Sequence, residues 1–235
     1  MKVMLVIHGY PRRYNAGSEV YTQTLAHALL DAGCEVEVFA RQEDPFLPDY
    51  ILSTEQDQIR SEIPVHLVNH ARSNARFQND GIDEVFRKLI GSIRPDIVHF
   101  GHLNHLSMGL LSVAKEFGLP TVFTLHDFLF MCPRGQFLQW GLTHDNPWAL
   151  CDGQDDAKCA SKCFNRFIEG SDAEVEMQTW EKWVSTRMRL SREACEMVDL
   201  FLSPSRRLMA RHVNEFGINE SRIEYLDYGF DHSRL

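Results

Sequence analysis

Seven strand-like segments alternate with helical patterns along this chain, and that alternation leaves it few folds. Val3–His8 is an unbroken apolar run, as expected of a parallel strand covered on both faces. Ser18 to Ala32 follows with Val20, Tyr21, Leu25, Ala28 and Leu29 on one helical stripe, and Gly33 stands where a helix ends. Further strands are expected at Glu35–Ala40, Val65–Val68, Ile97–Phe100, Thr121–His126, Leu200–Ser203 and Arg222–Leu226. Helices are expected over Ile82–Ile93, Leu106–Phe117, Ala173–Val198 and Ser205–Phe216. The polar stretch Asp44–Glu62 reads as a mobile excursion, and Phe128–Phe164 as irregular. The order predicts an α/β fold, a doubly wound parallel sheet with right-handed crossovers.

Composition narrows the function classes. A formal net charge of −9 argues against a nucleic-acid partner. No apolar run approaches the roughly 18 residues of a membrane span, and the start of the chain reads as a strand too short for a signal peptide. The expected compartment is the cytoplasm, with membrane association peripheral at most. Trp180 and Trp183, three apart on the long helix, are expected to pack inward.

In such sheets ligands sit beyond the carboxyl ends of the strands, so the residues just after each strand are the candidates. They are His8-Gly9-Tyr10, the Arg41 segment, Gly101-His102, His126-Asp127 and Ser203-Pro204-Ser205. The loop Tyr14-Asn15-Ala16-Gly17-Ser18-Glu19 leads into the first helix. Gly17 permits close approach of a ligand, and the helix start offers free N–H groups and a favourable dipole for phosphate. The plainer reading is a βα loop with Ser18 as helix N-cap. Glu19 either hydrogen-bonds a hydroxyl or offsets the helix dipole. Arg12-Arg13 in the same loop either meets an anionic ligand or is a solvated pair. Eleven histidines include five at or near strand ends: His8, His99, His102, His105 and His126. There is no HExxH pair, and no catalytic metal is expected. His126 and Asp127 place an imidazole and a carboxylate directly after a central strand; the plainer reading is a strand-end histidine held by backbone groups.

Cys132, Cys151, Cys159 and Cys163 fall in the irregular stretch, with spacing C-x18-C-x7-C-x3-C. Four thiols could hold a structural zinc, pair as disulfides or remain free. Cys34 and Cys195 read as small core residues. Trp140 and Trp148 in this stretch either stack on a ligand or pack the loop.

Five segments in register, HGYPRRYNAGSEVYTQTLAHALLDAGCEVEVFA, RPDIVHFGHLNHLS, GLPTVFTLHDF, VDLFLSPSRRLMARHV and INESRIEYLDYGFD, resemble the N-terminal lobe of family 4 glycosyltransferases. That family has the two-lobed GT-B fold. The resemblance implies that residues 1–235 are a Rossmann-like, acceptor-side N-terminal domain with a Cys-rich insertion at about 128–170. It also implies that the C-terminal donor lobe is absent from this chain, leaving the fragment alone inactive. The implied reaction is transfer, with retention, of a sugar from a UDP- or GDP-sugar to a glycan or lipid-linked acceptor in polysaccharide synthesis. By resemblance, His126 contacts the transferred sugar and is catalytic, while the Gly17 loop faces the donor diphosphate. His8, Tyr14, Gly17, Ser18, Glu19, His102 and Asp127 are then the donor- or acceptor-binding residues. The family's loop usually has two adjacent glycines; Ala16 stands where the first would be. Two other readings remain open: a non-catalytic carbohydrate-binding or regulatory module, and a GT-B-like sugar-nucleotide epimerase.

Overall fold

A computed structural model of the chain describes residues 1–71, 77–140, 148–164 and 173–229. Strand β1 (Lys2–Ile7) leads to helix α1 (Gly17–Asp31) and strand β2 (Glu35–Gln42). Strands β3 (Leu52–Gln56) and β4 (Pro64–Asn69) precede α2 (Asp80–Ile93), β5 (Ile97–Phe100), α3 (Gly109–Glu116) and β6 (Thr121–Thr124). Next come the short strands β7 (Leu138–Trp140) and β8 (Trp148–Leu150), the single turn α4 (Asp156–Cys159) and the long α5 (Ala173–Glu196). Strand β9 (Leu200–Ser203), helix α6 (Arg206–Arg211) and strand β10 (Ile223–Tyr225) follow.

Eight strands form one sheet in the order β10-β9-β6-β5-β1-β2-β4-β3, parallel except for β3, which runs antiparallel to β4 at the edge. The chain winds outward from β1 through β2 to β4, then crosses to β5 and winds outward again. This is the doubly wound, Rossmann-like sheet that the strand–helix alternation implies. The pleat of β1 divides the core. Met4 and Val6 face Phe39, Phe86, Phe100 and Phe123 on one side. Val3, Leu5 and Ile7 join Ala26 of α1 with Val38 and Ala40 on the other. Residues buried on both faces explain why these strands read as continuous apolar runs.

The structure corrects several expectations. Asp44–Glu62 is no mobile excursion: it contains β3, and its Asp57 is buried as a polar hub. The Asp57 carboxylate accepts from the Tyr10 hydroxyl (2.9 Å), the Gln23 amide (2.8 Å) and the backbone N–H groups of Ile59 and Arg60, and meets His27 Nε2 at 3.0 Å. Arg12 and Arg13 are exposed, as the solvated-pair reading has it, and they also bond Gln58 and Glu55 at 2.6 and 2.7 Å, tying the first loop to this segment. Helix α3 begins three residues later than expected, because 103–108 forms a turn ordered by the Ser107 hydroxyl, which accepts from Asn79 N–H and Gly109 N–H. The stretch after β6 has some regular structure, pairing β7 with β8 so that Trp140 opposes Trp148. The side chains of both tryptophans, and residues 141–147 and 165–172 of the expected insertion, lie outside the described residues. Trp180 and Trp183 do pack inward, against Phe164 (centroids 5.0 and 5.2 Å). Among the described residues no helix is long and apolar enough to cross a membrane.

Candidate active site

The sheet changes winding direction between β1 and β5, and a crevice opens beyond the carboxyl ends of strands at such a point. His8 follows β1 and His102 follows β5, and their rings meet there with centroids 4.6 Å apart.

On the β1 side, His8 Nε2 lies 3.1 Å from a carboxylate oxygen of Glu19, in the first turn of α1. The other oxygen accepts from the Ser18 hydroxyl at 2.9 Å. Burial pushes the Glu19 carboxyl up, but the His8 contact, a backbone N–H and Ser18 outweigh it and hold it at about 2. Burial, and to a lesser degree the neighbouring His102, lowers His8, which is therefore neutral at pH 7 and donates from Nε2. Ser18 is not the helix N-cap. Ala16 occupies that position in extended conformation, with no side-chain cap, so no second glycine is required there. A Cβ on Gly17 would meet nothing within 4 Å, which leaves the first turn of α1 open to a ligand from outside. Tyr14 is a brace: its ring lies so close to Gly9 that a Cβ there would fall 2.6 Å from Tyr14 Cγ.

On the β5–β6 side, Asp127 holds two neighbours. One carboxylate oxygen accepts from the Leu129 N–H (2.8 Å); the other lies 3.3 Å from His102 Nε2. His102 Nδ1 accepts from the Asn104 N–H (3.1 Å), so its hydrogen sits on Nε2, facing the carboxylate. Burial pushes Asp127 up, yet His102 and the Leu129 N–H outweigh it and keep it ionised. Gly135, with φ +75°, passes so close that a Cβ would lie 3.2 Å from the same carboxylate.

His126 extends from the end of β6 toward a residue 102 positions later. Its Nδ1 is 2.6 Å from the Tyr228 hydroxyl, and Tyr21 packs edge-on against the imidazole. Burial, then the neighbouring His102, depresses His126 to about 4, while burial raises Tyr228 to about 12. A phenol is a better donor than an imidazole N–H, so Tyr228 donates to Nδ1 and the His126 hydrogen is on Nε2. That nitrogen is buried and has no partner among the described residues. The site therefore holds a neutral imidazole N–H with nothing to donate to among the described residues, beside a charged carboxylate and against Tyr21 of α1.

The model of Glycosyltransferase Family 4 matches residues 15–154, more than half of the sequence. The chain belongs to glycosyltransferase family 4. No curated protein matches it in sequence. Among solved structures, HepE from Anabaena in complex with UDP is similar at TM-score 0.53 and 13% identity, over 98% of this chain and 45% of that one. The catalytic domain of starch synthase IV from Arabidopsis thaliana, bound to ADP and acarbose, is similar at TM-score 0.51 and 13% identity, over 99% of this chain and 52% of that one. The chain thus spans about half the length of these proteins, and its fold is that of one lobe of a GT-B enzyme.

In this family 4 lobe, Cys132, Cys151, Cys159 and Cys163 do come together, lining one small cavity with Phe137 and Phe164. They do not fit the expected structural zinc. All are free thiols, and among the described residues no group of three or more His, Cys, Asp or Glu side chains is placed to hold a metal ion. Burial raises Cys159 to about 11, favouring the neutral thiol in an apolar lining. His99 turns away from the crevice to Thr124 Oγ1 at 2.7 Å. Tyr21, Arg187 and Tyr228 were not among the sequence candidates. Their helical or terminal positions carry no local sign that the fold brings them to the crevice.

Proposed function

We propose that the chain is the N-terminal, acceptor-side lobe of a retaining, nucleotide-sugar-dependent glycosyltransferase. It would work with a second lobe that supplies most of the donor contacts and transfer to a glycan or lipid-linked acceptor. The observation that carries the proposal is His126 Nε2–H, buried and without an acceptor among the described residues, beside the His102–Asp127 pair and against Tyr21 of α1. A hydroxyl of the transferred sugar would accept from Nε2 and hold the anomeric carbon in line. Because the imidazole stays neutral at pH 7, His126 acts by positioning and polarisation and does not serve as an acid. The open first turn of α1, with Gly17, would face the donor diphosphate. UDP in one similar structure and ADP in another support a nucleotide-sugar donor.

Two substitutions test this in the two-lobed enzyme. His126→Ala should lower kcat by about 10²-fold or more, the effect of removing one positioned donor from a transferring centre. Gly17→Val should leave the fold intact, since a side chain there meets nothing in this chain, and should chiefly raise the donor KM. Unchanged kcat in the first variant, or unchanged donor KM in the second, would defeat the corresponding assignment.

A further inference from the structure

Next to Asp127 the crevice continues into a separate pocket of about 220 Å³. Its apolar wall includes Phe77, Met108 and Trp183; its polar wall includes Asp127, Arg134 and Arg187. Arg187 is 6% exposed, and no carboxylate lies within 4 Å of it among the described residues. Its guanidinium donates to the Leu129 carbonyl at 2.6 Å, reaches the Met188 sulfur only at 3.5 Å, and lies 4.9 Å above the Phe77 ring. The other deeply buried arginine, Arg41, is compensated by Glu43 at 2.6 Å. Burying a cation with no anion in contact costs several kcal/mol, and among the described residues the carboxylate that offsets Arg187 is Asp127, which acts from beyond 4 Å across the pocket. Burial lowers the Arg187 pKa to about 10, which still leaves the group charged at pH 7.

Resting on the acceptor-side reading above, we infer that this pocket binds an oxyanion carried by the acceptor, a sugar carboxylate or a phosphate ester, with Arg187 as its principal counter-ion. Asp127 stays ionised on the same wall, so the oxyanion would sit on the Arg187 and Arg134 side of the pocket, away from that carboxylate. A sugar lying between them would direct hydroxyls to Asp127 and its charged substituent to Arg187. Arg134, anchored to the Leu138 carbonyl at 2.8 Å, adds a second positive group to the same wall. Trp183 and Phe77 would cover the apolar face of the ring.

The test is titration calorimetry of the 235-residue chain with methyl glucuronide, glucose 6-phosphate, methyl glucoside and UDP. At least one charged sugar should bind ten-fold or more tighter than methyl glucoside; which one does so separates carboxylate from phosphate ester. Arg187→Met should abolish that preference while leaving the folded state as stable or more so, because it removes an unpaired buried charge. Arg187→Gln, which can still donate to the Leu129 carbonyl, serves if the Met variant loosens the site. Equal binding of charged and neutral sugars, no binding of either charged sugar, or retention of the preference in both variants would overturn the inference. So would an equal loss of UDP affinity in Arg187→Met, which would place the anion site in the donor subsite instead. Because every readout is binding, transfer activity can fail or persist independently of this result.

Discussion

Two segments interrupt the parallel strand order, residues 43–63 before β4 and the described residues 128–140 and 148–164 after β6, and they are fastened by different physics. The first is a polar stretch secured by main-chain pairing of β3 to β4 and by one buried carboxylate, Asp57, which draws on Tyr10, Gln23, His27 and two backbone N–H groups. The second is of mixed polarity and its described part is fastened chiefly by aromatic rings. Phe130 packs edge-on against Phe123 of β6, Phe128 against Phe137, and the Arg211 guanidinium lies 4.0 Å over Phe137. A polar hub concentrates its contribution in one residue, whereas a packed cluster spreads it over many. The sharply fastened segment braces the β1 side of the crevice through Arg12, Arg13 and Tyr10. The diffusely fastened one supplies Leu129, Arg134 and Gly135 to the wall of the pocket beside Asp127.

The most severe way to break this comparison is Asp57→Ala. It strands the buried donors of Tyr10 and Gln23 together with the part-buried His27 and two backbone N–H groups, and should cost about 3–5 kcal/mol of stability, measured by denaturant unfolding. A loss below about 1 kcal/mol would mean that the strand pairing alone fastens the segment. Acid should act on the same side. Burial pushes Asp57 up, but Gln23, the Arg60 and Ile59 N–H groups and Tyr10 hold it at about 2, below its unfolded value near 3.9. A depressed folded pKa stabilises at pH values above the unfolded pKa, and that contribution is lost as pH falls from about 5 toward 2. Asp57→Asn should flatten this limb of the stability–pH curve, and an unchanged limb would assign the acid sensitivity to other carboxylates, Glu19 first.

The smallest effect is expected in the other segment. Cys159→Ala, in a cluster of free thiols, should cost about 1 kcal/mol, and chelator should leave the melting temperature of the native chain unchanged. A drop of several kcal/mol, or a chelator-dependent melt, would show that the four thiols are cross-linked through a metal and that both segments depend on single polar anchors.

The sequence made the sheet legible because its signals are local. β1, β4, β5, β6 and β9 carry short stretches rich in apolar residues bounded by glycine, proline or polar residues, while β2 and β10 alternate apolar with polar residues. β3 (Leu52–Gln56) escaped notice because an edge strand exposed on both faces has no such run. His8, Glu19, His102, His126 and Asp127 could be found because strand order alone places them at the carboxyl ends or at the start of α1. What pairs with what could not be read in this way. Ser18 resembles an N-cap in sequence but bonds Glu19, and Tyr14 looks available to a ligand but packs on Gly9. The tautomer of His126 depends on Tyr228, 102 residues away, and the charge of the pocket beside Asp127 depends on Arg187, which in sequence is one more polar residue on a long helix. Periodicity and turn chemistry act over a few residues and determine which segments become strands and helices. The hydrogen-bond partners and uncompensated charges of the crevice come from side chains distant in sequence, so only the packed tertiary structure decides them.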